Sequence, residues 1–337
     1  MTDGQATSLF SSDRLLGLDE IESGFDVMSM VSLAESESRF RIFDLSDTGP
    51  NEFRVSVLGQ QRMFNIPLNV QVTNINTRRV INCEDLSNDY KHFYSNYFRW
   101  SSNGLPVLYF MIIGRIANRH GALRVIEEAI NKESKTVATS TSWWGIYSIQ
   151  LGPPLFIKFD PMFNASMSAI INKQHVPRTE SEQTLYNILL ETFGTHYVTR
   201  VIVGATAHMY TLINNAFTKS ATFEETASEV SRMSNSFFLP KIVPRSIHSI
   251  KESLSESFRK NSKSFVEYQP PVALVPGKTE WQSWLDNAVL TPVVVNRTLA
   301  PLSNIFYRYP LIRGHLRRTI DHYLRHGKYP KLGELNR

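Results

Sequence analysis

The chain has 337 residues, 42% of them hydrophobic and 20% charged, which is enough to bury one large core or two ordinary ones and excludes a disordered, collagen-like or coiled-coil chain. Its single cysteine, Cys83, excludes an internal disulfide framework and any zinc or iron–sulfur site built from paired thiolates. The net charge of +5 points to an acidic partner such as nucleic acid, an anionic membrane or a glycan surface, yet the charge is local: residues 308–337 hold eight Arg/Lys against Asp321 and Glu334, a balance of +6, and the rest of the chain carries −1.

The longest apolar run, Leu105 to Ile113, is nine residues with Pro106 inside it, far short of the ~18–20 that a spanning helix requires. Met1 to Asp13 has neither a basic start nor an apolar stretch, so no secretory signal is visible; the chain is either made without one or is a form from which it was removed. Two sequons, at Asn164 and Asn296, fit a secreted glycoprotein.

In chain order, residues 1–14 read as a loose tail rich in Ser, Thr and Asp. Phe53 to Leu58 and Leu68 to Val72 alternate at a period of two, as half-buried strands do. Leu123, Ile126 and Ile130 recur at helical spacing, and Trp143 to Leu151 reads as a strand closed by Gly152-Pro153-Pro154. Thr179 and Glu182 form a capping box for a helix with Leu185, Ile188, Leu189 and Thr192 on one face, widened by Tyr186, Leu190 and Phe193. Gly194 stands where a helix stops in a left-handed turn, and Tyr197 to Val203 follows as a strand of β-branched residues. Near the end, Ile312, Leu316, Ile320 and Leu324 make a four-spaced apolar stripe with Arg313, Arg317 and Arg325 off it, stopped by Gly327 and Pro330.

The turn Phe193-Gly194-Thr195-His196-Tyr197, with Gly204 further along the strand, resembles the signature of the membrane-attack-complex/perforin family. Gly24-Phe25-Asp26 resembles the amino-terminal Gly-Tyr-Asp element of that family, with Phe for Tyr, and Phe43-Asp44-Leu45 stands in the place of the short strand after it. Leu155 to Ile171 is similar to the stretch leading into the signature helix, and Asn296 to Leu302 to the closing segment. The likeness spans residues 15–310; residues 311–337 are read as a basic helix and tail beyond it. In size and lack of accessory modules the chain resembles a single-domain, Torso-like type of member. It departs from the family pattern at Gly204-Ala205, where two glycines are usual, and at Pro270-Pro271, where a glycine turn is common.

The resemblance implies an α+β fold: a bent, twisted antiparallel four-stranded sheet flanked by two helical clusters, here about residues 84–138 and 215–263. In pore-forming members each cluster unrolls into a β-hairpin, and hairpins from many copies close into a barrel. Length permits this, since a barrel strand needs only ~9–11 residues to cross the hydrocarbon layer. Polarity opposes it: Ile250, Leu254 and Phe258 share their strand phase with Glu252, Glu256 and Lys260, and Phe217, Ala221 and Phe223 share theirs with Lys219 and Glu225. Read as a helix, Ile247, Ile250, Leu254 and Phe258 fall on one stripe. Leu105 to Ile113 is apolar enough for lipid, but Arg115, Arg119, His120 and Arg124 follow it.

The expectation is therefore a perforin-like protein, secreted or extracellular, that associates with membranes or cell surfaces. Oligomeric pore formation is its leading mechanism, and a non-lytic role in extracellular signalling or development through a protein partner is the alternative. Arg313, Arg317, Arg318 and Arg325 are the candidate lipid or polyanion contact; no recognition pattern supports nucleic acid. His196 reads as a hydrogen-bonded structural group, Gly194 and Gly204 as backbone positions, and Trp281 and Trp284 as one helical core face. No catalytic motif, metal site or cofactor fingerprint is present, so no enzyme is expected.

Overall fold

A computed structural model describes residues 14–28, 31–35, 40–57, 60–89, 121–153, 156–173, 175–242, 254–270 and 277–336. The run Leu105–Ile113, the basic residues Arg115, Arg119 and His120, Ile247, Ile250 and Pro271 lie outside them. Strands β1 (Gly24–Asp26), β2 (Val31–Ser32), β5 (Val70–Ser87), β6 (Thr136–Leu151), β7 (His196–Ile213), β8 (Ser262–Gln269) and β9 (Val293–Pro301) form one antiparallel sheet, and β3 (Thr48–Val57) with β4 (Gln60–Pro67) form a separate hairpin. Helices α1 (Leu18–Glu22), α2 (Gly121–Asn131), α3 (Pro161–Ile171), α4 (Glu180–Phe193), α5 (Asn215–Thr218), α6 (Phe223–Ile242), α7 (Glu256–Asn261), α8 (Glu280–Leu290) and α9 (Pro310–His326) cover it.

The expected four-stranded core of the sheet is β5-β6-β7-β8. β7, eighteen residues long, is its spine. Along one edge it pairs with β9 from His196 to Gly204 and then with β8 from Thr206 to Ile213, so the partner changes at Ala205. Opposite this handover the β6–β7 register shifts between Gly145 and Tyr147, an irregularity that bends a ladder. A Cβ added at Gly204 would lie 1.9 Å from the Trp144 carbonyl oxygen, so glycine is demanded there by close approach of two backbones. Ala205 is fully buried in a second core with Ala207, Met209, Trp281 and Trp284, where a small side chain is a packing requirement.

The sheet thus carries two packing regions. Above the handover, α1, α4, α9 and the β3–β4 hairpin bury one large core, with Phe53 edge-on to Tyr147 at 5.7 Å. Below it, α6 and α8 cover the opposite half. Trp144 packs against both cores, with Arg78 over its ring at 4.4 Å. Trp281 and Trp284 pack together at 4.8 Å and are buried, as one helical core face.

Within the second cluster the described residues are packed as helices. Phe217 of α5 meets Phe258 of α7 at 5.2 Å, both against Ala138 and Ile213 of the sheet. Ser255 caps α7 by accepting from the Phe258 amide. α6 buries Val230 and Phe238 against the sheet and adds polar contacts: Ser234 and Asn235 bond the side chain of Asn82, which stands in a bulge of β5 between Ile81 and Asp85. α9, set apart in the sequence as an element beyond the body, buries Ile312, Leu316, Ile320 and Leu324 in the main core.

Candidate functional site

The signature residues are brought together by α4. Thr179 caps it as its spacing predicts, its hydroxyl accepting from the Glu182 amide, while Glu182 reaches back to the Arg178 amide. The buried face differs from the expected one: Ile188 is exposed, and Gln183 is buried. A polar side chain is stable there because His315 of α9 donates to its amide oxygen at 2.8 Å.

α4 ends at Gly194, whose φ of +81° is in the range that favours glycine while its ψ of 173° is extended, so the chain leaves straight into β7 instead of curling through a left-handed helical turn. Both motifs read from the sequence meet at this point. Gly24 and Phe25 pair with Tyr197 and His196. A Cβ at Gly24 would lie 1.7 Å from the Phe193 carbonyl oxygen, and one at Gly194 would lie 2.8 Å from that of Phe25. Each glycine exists to admit the backbone of the other motif.

Thr195 locks the joint. Its amide donates to the Phe25 carbonyl at 3.1 Å, its hydroxyl accepts from the Val27 amide at 3.1 Å, and its carbonyl accepts from the Leu302 amide at 2.9 Å. His196 shares a hydrogen bond with the Thr195 hydroxyl at 2.9 Å, and burial pushes its imidazole down to about 4. The same burial effect, with Arg318 adding to it, brings His315 to about 4. Asp26, the last residue of the amino-terminal element, accepts from Tyr323 of α9, whose ring stacks on Tyr329 at 4.2 Å. Burial, with Asp26 beside it, raises the Tyr323 phenol above its ordinary value. Around the turn, Phe193 meets Phe163 at 5.0 Å and Tyr197 meets Phe43 at 5.6 Å, edge to face.

Two buried carboxylates complete the frame. Glu20 takes a two-pronged bond from Arg297 and one from Ser32; burial opposes its ionisation, but these donors outweigh that and hold it below the usual range. Glu22 is bonded by Arg14 and lies near Arg41. The site's chemistry is structural: it ties both ends of the chain to the spine strand. Tyr323, His315 and Leu302 belong to it, and their partners lie more than a hundred residues away in sequence, so local pattern could not find them.

The other predicted residues lie elsewhere. Arg313, Arg317, Arg318 and Arg325 are exposed on the outer side of α9. Asn164 is exposed on α3; Asn296 is half-buried in β9, opposite Ile202. Among the described residues no group of His, Cys, Asp and Glu could hold a metal ion, and no helix is long and apolar enough to cross a membrane.

The family model described as MAC/Perforin domain matches residues 15–332. The chain belongs to the MAC/Perforin domain family. Its match runs through α9 nearly to the end of the chain. Among solved structures, GNIP1Aa from Chromobacterium piscinae is similar over 95% of this MAC/Perforin chain at 15% identity and a TM-score of 0.61; the chain spans 58% of that protein's length. Astrotactin-2, a vertebrate perforin-like membrane protein involved in neuronal development, is similar over 91% of this chain and 98% of its own, at 10% identity and a TM-score of 0.44. Listeriolysin O is similar over 74% of this chain and 40% of its own, at 10% identity and a TM-score of 0.29. Among curated proteins, none matches the chain.

Proposed function

We propose that this is a membrane-acting, perforin-like protein of the extracellular space or cell surface, whose copies assemble and unroll two inserts into a shared β-barrel pore. The observation that carries this reading is how the strands end. Ser87 is opposite Val137, Thr136 opposite Ile213, and Ile213 opposite Ser262, so four neighbouring strands stop in one line. Residues 88–135 join β5 to β6 and residues 214–261 join β7 to β8, 48 residues each. Unrolled as hairpins, both would prolong ladders already in register. Half of each insert is about 24 residues, roughly 80 Å at about 3.3 Å per residue, more than twice the ~9–11 residues a bilayer crossing needs. α6 is joined to β5 both by hydrogen bonds, which water can replace on release, and by apolar packing of Val230 and Phe238, which release would expose.

The alternating phases of the second insert favour a second reading, a non-lytic protein that keeps the fold and acts through an extracellular partner. Lys219 and Glu225 share a phase with Phe217 and Phe223, and a cation at the bilayer midplane costs ~2–4 kcal/mol. Dye release from vesicles separates the two. A variant with Asn82→Cys and Ser234→Cys, and Cys83→Ser to remove the native thiol, joins the bulge of β5 to α6. On the pore reading wild type leaks, the oxidised variant does not, and reduction restores leakage. Leakage by the oxidised variant at the wild-type rate would overturn hairpin release, and wild type that binds without leaking assigns the non-lytic role.

A further inference from the structure

The outer side of α9 is a strongly basic surface that the signature site does not use. Arg308, Arg313, Arg317, Arg318 and Arg325 are all exposed, and among the described residues none forms an ion pair with an acid. Glu334 is already engaged by the Lys331 amide and His322. Directly before the helix, Tyr307 and Tyr309 are 43% and 40% exposed, with Arg308 over the Tyr307 ring at 5.6 Å.

Gly314 stands in the middle of this surface. A Cβ there would meet nothing within 4 Å, so no packing demands glycine, although glycine inside a helix is about 0.5–1 kcal/mol less favourable than alanine. On a helix its neighbours at three and four residues onward are Arg317 and Arg318. The result is a stretch of bare helix backbone with arginines one turn along from it.

The position of the surface bears on what reaches it. α9 is tied to the start of β7 through Tyr323 and Asp26, while the inserts hang from its far end at Ile213. The eighteen residues of β7, at about 3.3 Å each, put about 60 Å of strand between them. On the pore reading, on which this step rests, the insert end faces the bilayer and α9 faces away from it. Lipid is then the wrong partner for these arginines.

We propose that the outer face of α9 binds a sulfated glycan chain. Guanidinium forks match the planar pairs of oxygens that a sulfate presents, as they do for carboxylate and phosphate. The exposed rings of Tyr307 and Tyr309 offer flat apolar faces to the C–H side of sugar rings. Aromatic and cationic groups side by side fit a ligand that alternates sugar faces with anions.

The test uses the full chain and heparin as the probe. Wild type is expected to bind heparin in a salt-sensitive way and to ignore desulfated heparin. The variant R313Q/R317Q/R318Q/R325Q should lose about tenfold or more in affinity with an unchanged melting temperature, because all four side chains are exposed. The variant Y307A/Y309A should weaken binding by a smaller factor. Unchanged heparin affinity in the fourfold variant, or no binding by wild type, overturns the proposal. So does equal affinity for duplex DNA, which would make the surface a general polyanion contact, and so does binding to anionic vesicles that the fourfold variant loses. Dye release from neutral, glycan-free vesicles tests the pore reading separately: its absence with heparin binding intact sinks the pore and leaves the glycan site standing.

Discussion

At the scale of single residues, Thr195 is the most connected side chain of the signature turn, lying among the Val27 amide, the Phe25 carbonyl and the His196 ring. Thr195→Val keeps its shape and leaves the Val27 amide without the hydroxyl it donates to, while the Phe25 carbonyl keeps the Thr195 amide, so urea denaturation should show a loss of ~1–3 kcal/mol. Thr195→Ser should retain most of the stability; equal losses in the two variants would show that packing, and not the hydroxyl, matters. His196 gives a pH signature. It is neutral when folded, with its titration near 4, and regains the ordinary value near 6.5 on unfolding. Its contribution is complete above about 6.5 and declines as the pH falls toward 4, by up to ~1.4 kcal/mol per pH unit. His196→Gln should therefore lessen the fall in stability between pH 6.5 and 4.5, the remainder coming from His208 and His315, which burial shifts the same way; an unaltered slope would exclude His196 as a source. Glycine roles were partly legible here. Gly24 and Gly194 stood out in the sequence as motif positions, but that they face one another could not be read from residues 170 apart.

At the scale of elements, the capping box of α4 was fully legible because its partners are three and four residues apart. The buried face of α4 was not, since Gln183 is placed inward by His315, which lies 132 residues away. A long-range polar pair outvoted a local apolar count. Thr179→Ala should cost about 1 kcal/mol in thermal unfolding. On α9 the apolar stripe and its glycine stop were read correctly, and Gly327 caps the helix with a φ of 68°. Gly314→Ala should raise stability by about 0.5–1 kcal/mol, since its Cβ meets open space. A fall in melting temperature for that variant would mean that the helix needs the glycine despite that open space.

At the scale of the whole molecule, the sheet, its two inserts and the family were legible from a few spaced motifs, because each marks a backbone approach that few residues tolerate. The change of partner along β7, from β9 to β8 at Ala205, was not, since it follows from which strand reaches which half of the sheet. The joint at Thr195 has a consequence for how the molecule is made. Its partners are Phe25 near the beginning of the chain and Leu302 near the end, and Asp26 waits for Tyr323. During synthesis the spine strand emerges long before its last partners, and such distant contacts are slow to form. Ile312, Leu316, Ile320 and Leu324 are each buried, at about 1.5–3 kcal/mol apiece, which together rivals the ~5–15 kcal/mol that holds a domain folded. A chain ended at Tyr309 should show no cooperative thermal transition by circular dichroism. Stable folding of this sheet then waits until α9 has been made and docks, and before that the nascent chain exposes a long unfinished sheet with unpaired edges.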